Sequence, residues 1–184
     1  MTDACAPGPL AANVYLIGFT GAGKTTVGEA LARDLGVPFA DLDAAVETRA
    51  GLSVVEIFRR HGELFFRAAE AEAFKALAER KGWVVALGSG TYAIPGAKAL
   101  ADSTGLSVWL ECPFEELLLR CSRAHAPRHP ALDENSLRGL YLQRLPAYES
   151  AALRISTGGV PVRAVVEDLV RTLRWRGMVG GGRL

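Results

Sequence analysis

Gly18-Phe19-Thr20-Gly21-Ala22-Gly23-Lys24-Thr25 is a full match to the pattern G-x-x-x-x-G-K-[S/T]. Its glycines let the backbone curl until several N–H groups face one concavity, a shape suited to phosphate oxygens. The apolar run at 14–17, ended by Gly18, reads as a buried strand leading in. Val27, Leu31 and Leu35 fall on one face of a helix predicted over Lys24–Leu35, with Gly36 as its stop. That helix adds its positive dipole end to the concavity. Lys24 can reach the β- and γ-phosphates, and the Thr25 hydroxyl can ligate Mg2+. Strand, loop and helix in this order imply a nucleoside triphosphate site and leave the reaction open.

Outward from this loop, strand and helix patterns alternate. Strands are predicted at 39–42, 83–87, 107–110 and Leu153–Ser156. Helices are predicted at 53–58, opened by a Ser53/Glu56 capping box, at 64–80, at 113–123 and at 161–174. A further helical stretch at 134–150 contains Pro146, which predicts a break or kink. Five apolar strands separated by helices imply an α/β fold of three α/β/α layers around a five-stranded parallel sheet. Ligands in such sheets bind beyond the carboxyl ends of the strands, so the residues just after each strand decide function.

The 184 residues suit one domain, expected over 13–176. A loose leader rich in Ala, Pro and Gly is expected at 1–12, and a glycine-rich tail at 177–184. The net charge of +1 offers no general case for nucleic-acid binding, which needs a concentrated basic face. Cys5, Cys112 and Cys121 make a poor disulfide framework, and His61, His125 and His129 lack zinc-ligand spacing. With neither a secretory signal nor an apolar stretch of roughly 20 residues, the expected setting is the cytoplasm, with no membrane partner.

Asp41-Leu42-Asp43 follows the second predicted strand. On extended backbone the two carboxylates point to alternate sides and can serve different partners. One can hold the Mg2+ shell through water while the other hydrogen-bonds an acceptor hydroxyl. Alternatively, Asp43 caps a helix over 44–49. Arg67 and Glu70 are spaced for an ordinary i,i+3 helix pair, and Arg144 by itself reads as a solvated surface residue.

Together these elements resemble the shikimate kinases, which have the nucleoside-monophosphate-kinase-like P-loop fold. The resemblance runs from about residue 13 to 174 and rests on order and spacing. The phosphate loop comes first, then Asp41-Leu42-Asp43, Gly62-Glu63 with Phe66-Arg67, the turn Gly88-Ser89-Gly90, a lid, and Arg144-Leu145-Pro146-Ala147-Tyr148. It implies transfer of the ATP γ-phosphate to the 3-hydroxyl of shikimate with Mg2+, by a monomer. Asp43 matches the aspartate that holds the reacting hydroxyl and acts as its base, and Asp41 the one near Mg2+. Arg67 and Arg144 match the pair that grips the substrate carboxylate, which suits two flat guanidinium forks. Glu70 matches the acid that orients Arg67, while Phe58 and Phe66 match apolar walls beside the ring. Gly88, Ser89 and Gly90 match the substrate turn. On the nucleotide side, Gly18, Gly21, Ala22, Gly23, Lys24, Thr25 and Thr26 match the phosphate contacts, and Arg120 an arginine stacked on adenine.

The mobile lid is expected at about 123–133, closing over ATP and excluding water. The family pattern there is Arg-Pro-Leu-Leu, whereas this chain has Arg128-His129-Pro130-Ala131-Leu132, one residue longer after the arginine. Arg128 matches the charge-stabilising lid arginine, with His129 the rival if the register is taken from the proline. Ser89 is a second departure, standing where the family has the middle of three glycines. Two alternatives accompany the expectation: a gluconate- or nucleotide-kinase-like enzyme of the same fold, and a nucleotide-binding module without kinase activity.

Overall fold

A computed structural model describes residues 10–123 and 133–180. Its five strands are β1 (Asn13–Ile17), β2 (Phe39–Asp41), β3 (Val84–Ala86), β4 (Gly105–Glu111) and β5 (Leu153–Ser156). They form one sheet in the order β2-β3-β1-β4-β5, and every pairing is parallel. β1 is therefore central and buried along its whole length. All five carboxyl ends reach the same edge, which sets the loops that follow them side by side.

The helices are α1 (Lys24–Leu35), α2 (Leu42–Ala50), α3 (Val54–Ala78), α4 (Ala97–Thr104), α5 (Phe114–Arg123), α6 (Glu134–Glu149) and α7 (Val162–Trp175). α1 packs on α7, and α3 packs on α2 and α4. Right-handed crossovers put α1 and α4 on opposite faces, because β1 connects one way along the sheet and β3 the other. The core between the layers joins Val14, Leu16 and Val108 of the sheet to Leu31 of α1 and Leu169 of α7. The expected leader and tail meet at one point, where Leu10 and Val179, both buried, form an antiparallel bridge.

Local chemistry sets the boundaries. The capping box at α3 is formed, with Ser53 and Glu56 each bonding the other's backbone N–H. Those bonds hold the Glu56 carboxyl below its ordinary range. Gly62, at φ 79° and ψ 177°, breaks α3 between the two helices predicted there. Three expectations need correction. Leu42 begins α2, so Asp41 and Asp43 do not share extended backbone; Asp41 is the N-cap, and its carboxylate accepts from the N–H groups of Asp43 and Ala44. α6 runs through Pro146 without ending. α4 and a 3-10 turn at Thr91–Ala93 fill a stretch for which no element was predicted.

Candidate active site

The loop after β1 turns on three glycines at positive φ, Gly18 at 141°, Gly21 at 84° and Gly23 at 92°. Only glycine adopts these angles without strain. Gly23 is also the N-cap of α1 and has no side chain to bond the first helical amides, so those donors remain for an anion. Lys24 Nζ donates to the Gly18 and Phe19 carbonyl oxygens at 2.9 and 3.1 Å, which holds its charge over the loop. Thr25 Oγ1 donates to Asp41 Oδ2 at 2.6 Å, joining the loop after β1 to that after β2. Ala22 is buried beneath the loop and Thr26 is exposed on its helical side.

From Phe19 onward the loop, the start of α1 and Asp41 line one open cavity of about 920 Å³ that also contains Asp43, Phe58, Phe66, Arg67, Glu70 and Arg144. Gly88 and Gly90 show how closely the side chains converge. A methyl group at position 88 would come within 2.5 Å of Glu70 Oε1 and 2.9 Å of Asp43 Oδ1. One at position 90 would meet Arg144 Nη2 at 3.1 Å and both terminal nitrogens of Arg67 at 3.2 Å. The turn after β3 thus has a carboxylate cluster at one end and two guanidinium groups at the other. The rings of Phe58 and Phe66 lie 4.7 Å apart and form an apolar wall.

Each guanidinium is held differently. Arg67 Nη1 donates to Glu70 Oε2 at 2.8 Å, and its Nε and Nη2 donate to Glu63 at 3.2 Å. Burial opposes its charge, but the bonds and charges of Glu70 and Glu63 outweigh burial and raise its pKa. Glu70 is only 1% exposed and accepts a second bond, from Thr91 Oγ1 at 2.6 Å. It is both the i,i+3 partner expected from spacing and a fixed anchor in the site. Arg144 is 7% exposed, so it is no solvated surface residue. Burial pushes its pKa down, and nearby Arg67 acts in the same direction. A buried cation facing another cation is well placed to receive an anion.

At the other end of the cavity, Arg120 donates to the carbonyl oxygens of Gly21 at 3.3 Å and Thr157 at 2.7 Å, and pairs with Glu116 at 2.6 Å. Thr157, Val160 and Val162 line this end and went unnoticed in the sequence. Thr157 directly follows β5, so the strand-end rule was the signal for it. Arg128, its rival His129 and most of the expected lid lie outside the described residues.

Comparison with known proteins agrees with this geometry. The shikimate kinase family model matches residues 20–174. A shikimate kinase from Geobacter sulfurreducens is 43% identical over 167 residues, covering 88% of this chain and 91% of that protein. One from Aquifex aeolicus is 36% identical over 169 residues, covering 91% and 99%. A solved shikimate kinase from Acinetobacter baumannii, in complex with shikimate, superposes with a TM-score of 0.84 at 33% identity, covering 90% of this chain and 94% of that one. With strands, phosphate loop and cavity in place, and relatives matching along nearly its whole length, this chain belongs to the shikimate kinase family, enzymes that use ATP to phosphorylate a hydroxyl group.

Proposed function

We propose that this chain transfers the γ-phosphate of ATP to the 3-hydroxyl of shikimate. The observation that carries this reading is the single cavity in which the phosphate loop faces Asp43 at one end of the Gly88–Gly90 turn and the Arg67–Arg144 pair at the other. Two guanidinium forks suit a carboxylate, the Phe58–Phe66 wall suits the apolar face of a ring, and Asp43 suits the hydroxyl. The Asp43 carboxylate holds the acceptor O–H and takes its proton. The hydroxyl oxygen bonds to the γ-phosphorus as the bridging oxygen leaves with ADP. Lys24 and, from the lid, Arg128 neutralise charge on the moving group, and Arg120 offers its flat face to adenine.

Mg2+ fits the donors present. Thr25 would supply a hydroxyl directly and Asp41 a carboxylate oxygen through water, both hard donors. The described residues contain no cluster of three or more acidic, His or Cys side chains, so the remaining ligands would be phosphate oxygens and water. Bound there, the ion would offset the charge of the phosphates. A monomer in the cytoplasm completes the reading. Cys112 and Cys121 are free thiols, which suits a reducing compartment, and no described helix is long and apolar enough to cross a membrane.

A coupled ADP-release assay with shikimate, quinate, gluconate and nucleoside monophosphates tests this. Shikimate-dependent turnover is the expected result. Preference for another acceptor would overturn the substrate. Nucleotide binding with no turnover on any acceptor would favour the non-catalytic module.

Gly88→Ala is expected to lower kcat/KM on the order of 10²-fold, the cost of misplacing reacting groups by about 1 Å. Gly88 lacks a positive φ, so alanine is tolerated by the backbone and acts by crowding Glu70, Thr91 and Asp43, whose oxygens a Cβ would meet at 2.5, 2.8 and 2.9 Å. Steady-state kinetics beside a melting curve would separate this effect from unfolding.

A further inference from the structure

Ser89 Oγ accepts a hydrogen bond from Arg144 Nη1 at 3.0 Å and another from Thr20 Oγ1 at 3.3 Å. A hydroxyl has two acceptor lone pairs and one hydrogen. Those two donors fill the lone pairs, so among the described residues the Ser89 hydrogen is left to give. The residue lines the cavity between the phosphate loop and the guanidinium pair, where an acceptor oxygen of a ligand completes its bonding.

Its position is fixed from beneath. The Tyr148 hydroxyl donates to the Ser89 carbonyl. Tyr148 is buried, stacks on Trp109 with ring centres 6.3 Å apart, and burial raises its pKa, which keeps it a donor. Arg144 and Tyr148 lie one turn apart on α6, so one helix holds both the turn and the guanidinium. Arg144 also sits over the ring of Phe19, 5.7 Å from its centre. Phe19 and Thr20 are consecutive residues of the phosphate loop. Arg144 therefore touches that loop twice, directly through Phe19 and indirectly through Ser89.

We propose that Ser89 is a positioning residue that couples the nucleotide site to the acid site. Its hydroxyl ties Arg144 to Thr20 and gives its own hydrogen to the carboxylate that Arg144 receives. The inference rests on the reading of Arg144 as a carboxylate binder. A nucleotide that orders the phosphate loop fixes Thr20, and through Ser89 it fixes Arg144 before the acid arrives. The acid then binds a site already ordered, and by reciprocity it tightens nucleotide binding by the same factor.

The test is calorimetric titration of shikimate with and without a non-hydrolysable ATP analogue, in wild type, Ser89→Ala, Thr20→Val and the double variant. Wild type is expected to bind shikimate several-fold more tightly with the analogue present. Ser89→Ala is expected to weaken shikimate in the ternary complex by about three- to tenfold, as the loss of one or two hydrogen bonds implies. The gain from nucleotide should then fall toward one. Thr20→Val should reduce the same gain, and the double variant should lose no more than the larger single loss. A role confined to holding the turn would instead lower Tm and weaken both ligands alike, overturning the proposal. Ser89→Gly, which restores the family's residue, repeats the test without a side chain. If wild type binds shikimate and its coupling survives in Ser89→Ala and Ser89→Gly, this inference fails while the function stands. If wild type binds nucleotide but no shikimate, both fail.

Discussion

Asp43→Asn is expected to lower kcat by about 10²–10⁴-fold, the usual contribution of a positioned general base. The amide keeps the size of the side chain but cannot take a proton. Asp43 lies in the first turn of α2, and its N–H is held at 3.0 Å by Asp41 Oδ1, so the substitution leaves the backbone and the Thr25–Asp41 contact in place. Nucleotide affinity should therefore change by no more than about twofold, which separates a lost catalytic group from a lost binding site. Rapid-quench single turnovers with saturating ATP would measure the chemical step directly. Turnover close to wild type would remove Asp43 from catalysis.

Arg144→Ala has the second large expected effect, this time on acid binding. Removing one member of a buried, hydrogen-bonded charge pair costs about 2–5 kcal/mol, or roughly 30-fold to several thousand-fold in Kd. Arg144 belongs in this class because it is nearly buried and its charge is opposed by burial and by Arg67. The acid carboxylate supplies the missing counter-charge. Arg144→Lys should recover little of the loss, since one ammonium cannot bond Ser89 and present a flat fork to the acid. KM for the acid, measured beside Kd for nucleotide, checks both variants.

Contiguous features were legible in the sequence, and features made by packing were not. The phosphate loop is one unbroken motif between a strand and a helix, and the limits read for α1 and β5 match the structure. α4 went unread because Ala101 alone is buried in it, too little for an apolar period to show. Asp41 was misplaced because Leu42 is buried whether the backbone is extended or helical, so its burial does not reveal the cap. Pro146 does not break α6; tertiary packing on both sides, through buried Arg144 and Tyr148, carries the helix through it. Spacing reads Arg67–Glu70 as a helix pair, which it is, but cannot show Glu70 buried against Thr91. The Ser89–Arg144 contact joins residues 55 apart in the chain, and only the sheet order brings them together.

The most direct measurement is titration of shikimate into the protein saturated with a non-hydrolysable ATP analogue, comparing wild type, Asp43→Asn and Arg144→Ala. The expected result is one shikimate per chain, with binding kept in Asp43→Asn and lost in Arg144→Ala. Absence of binding in wild type, or equal affinity in Arg144→Ala, would contradict a cavity built to hold an acid against the phosphate loop.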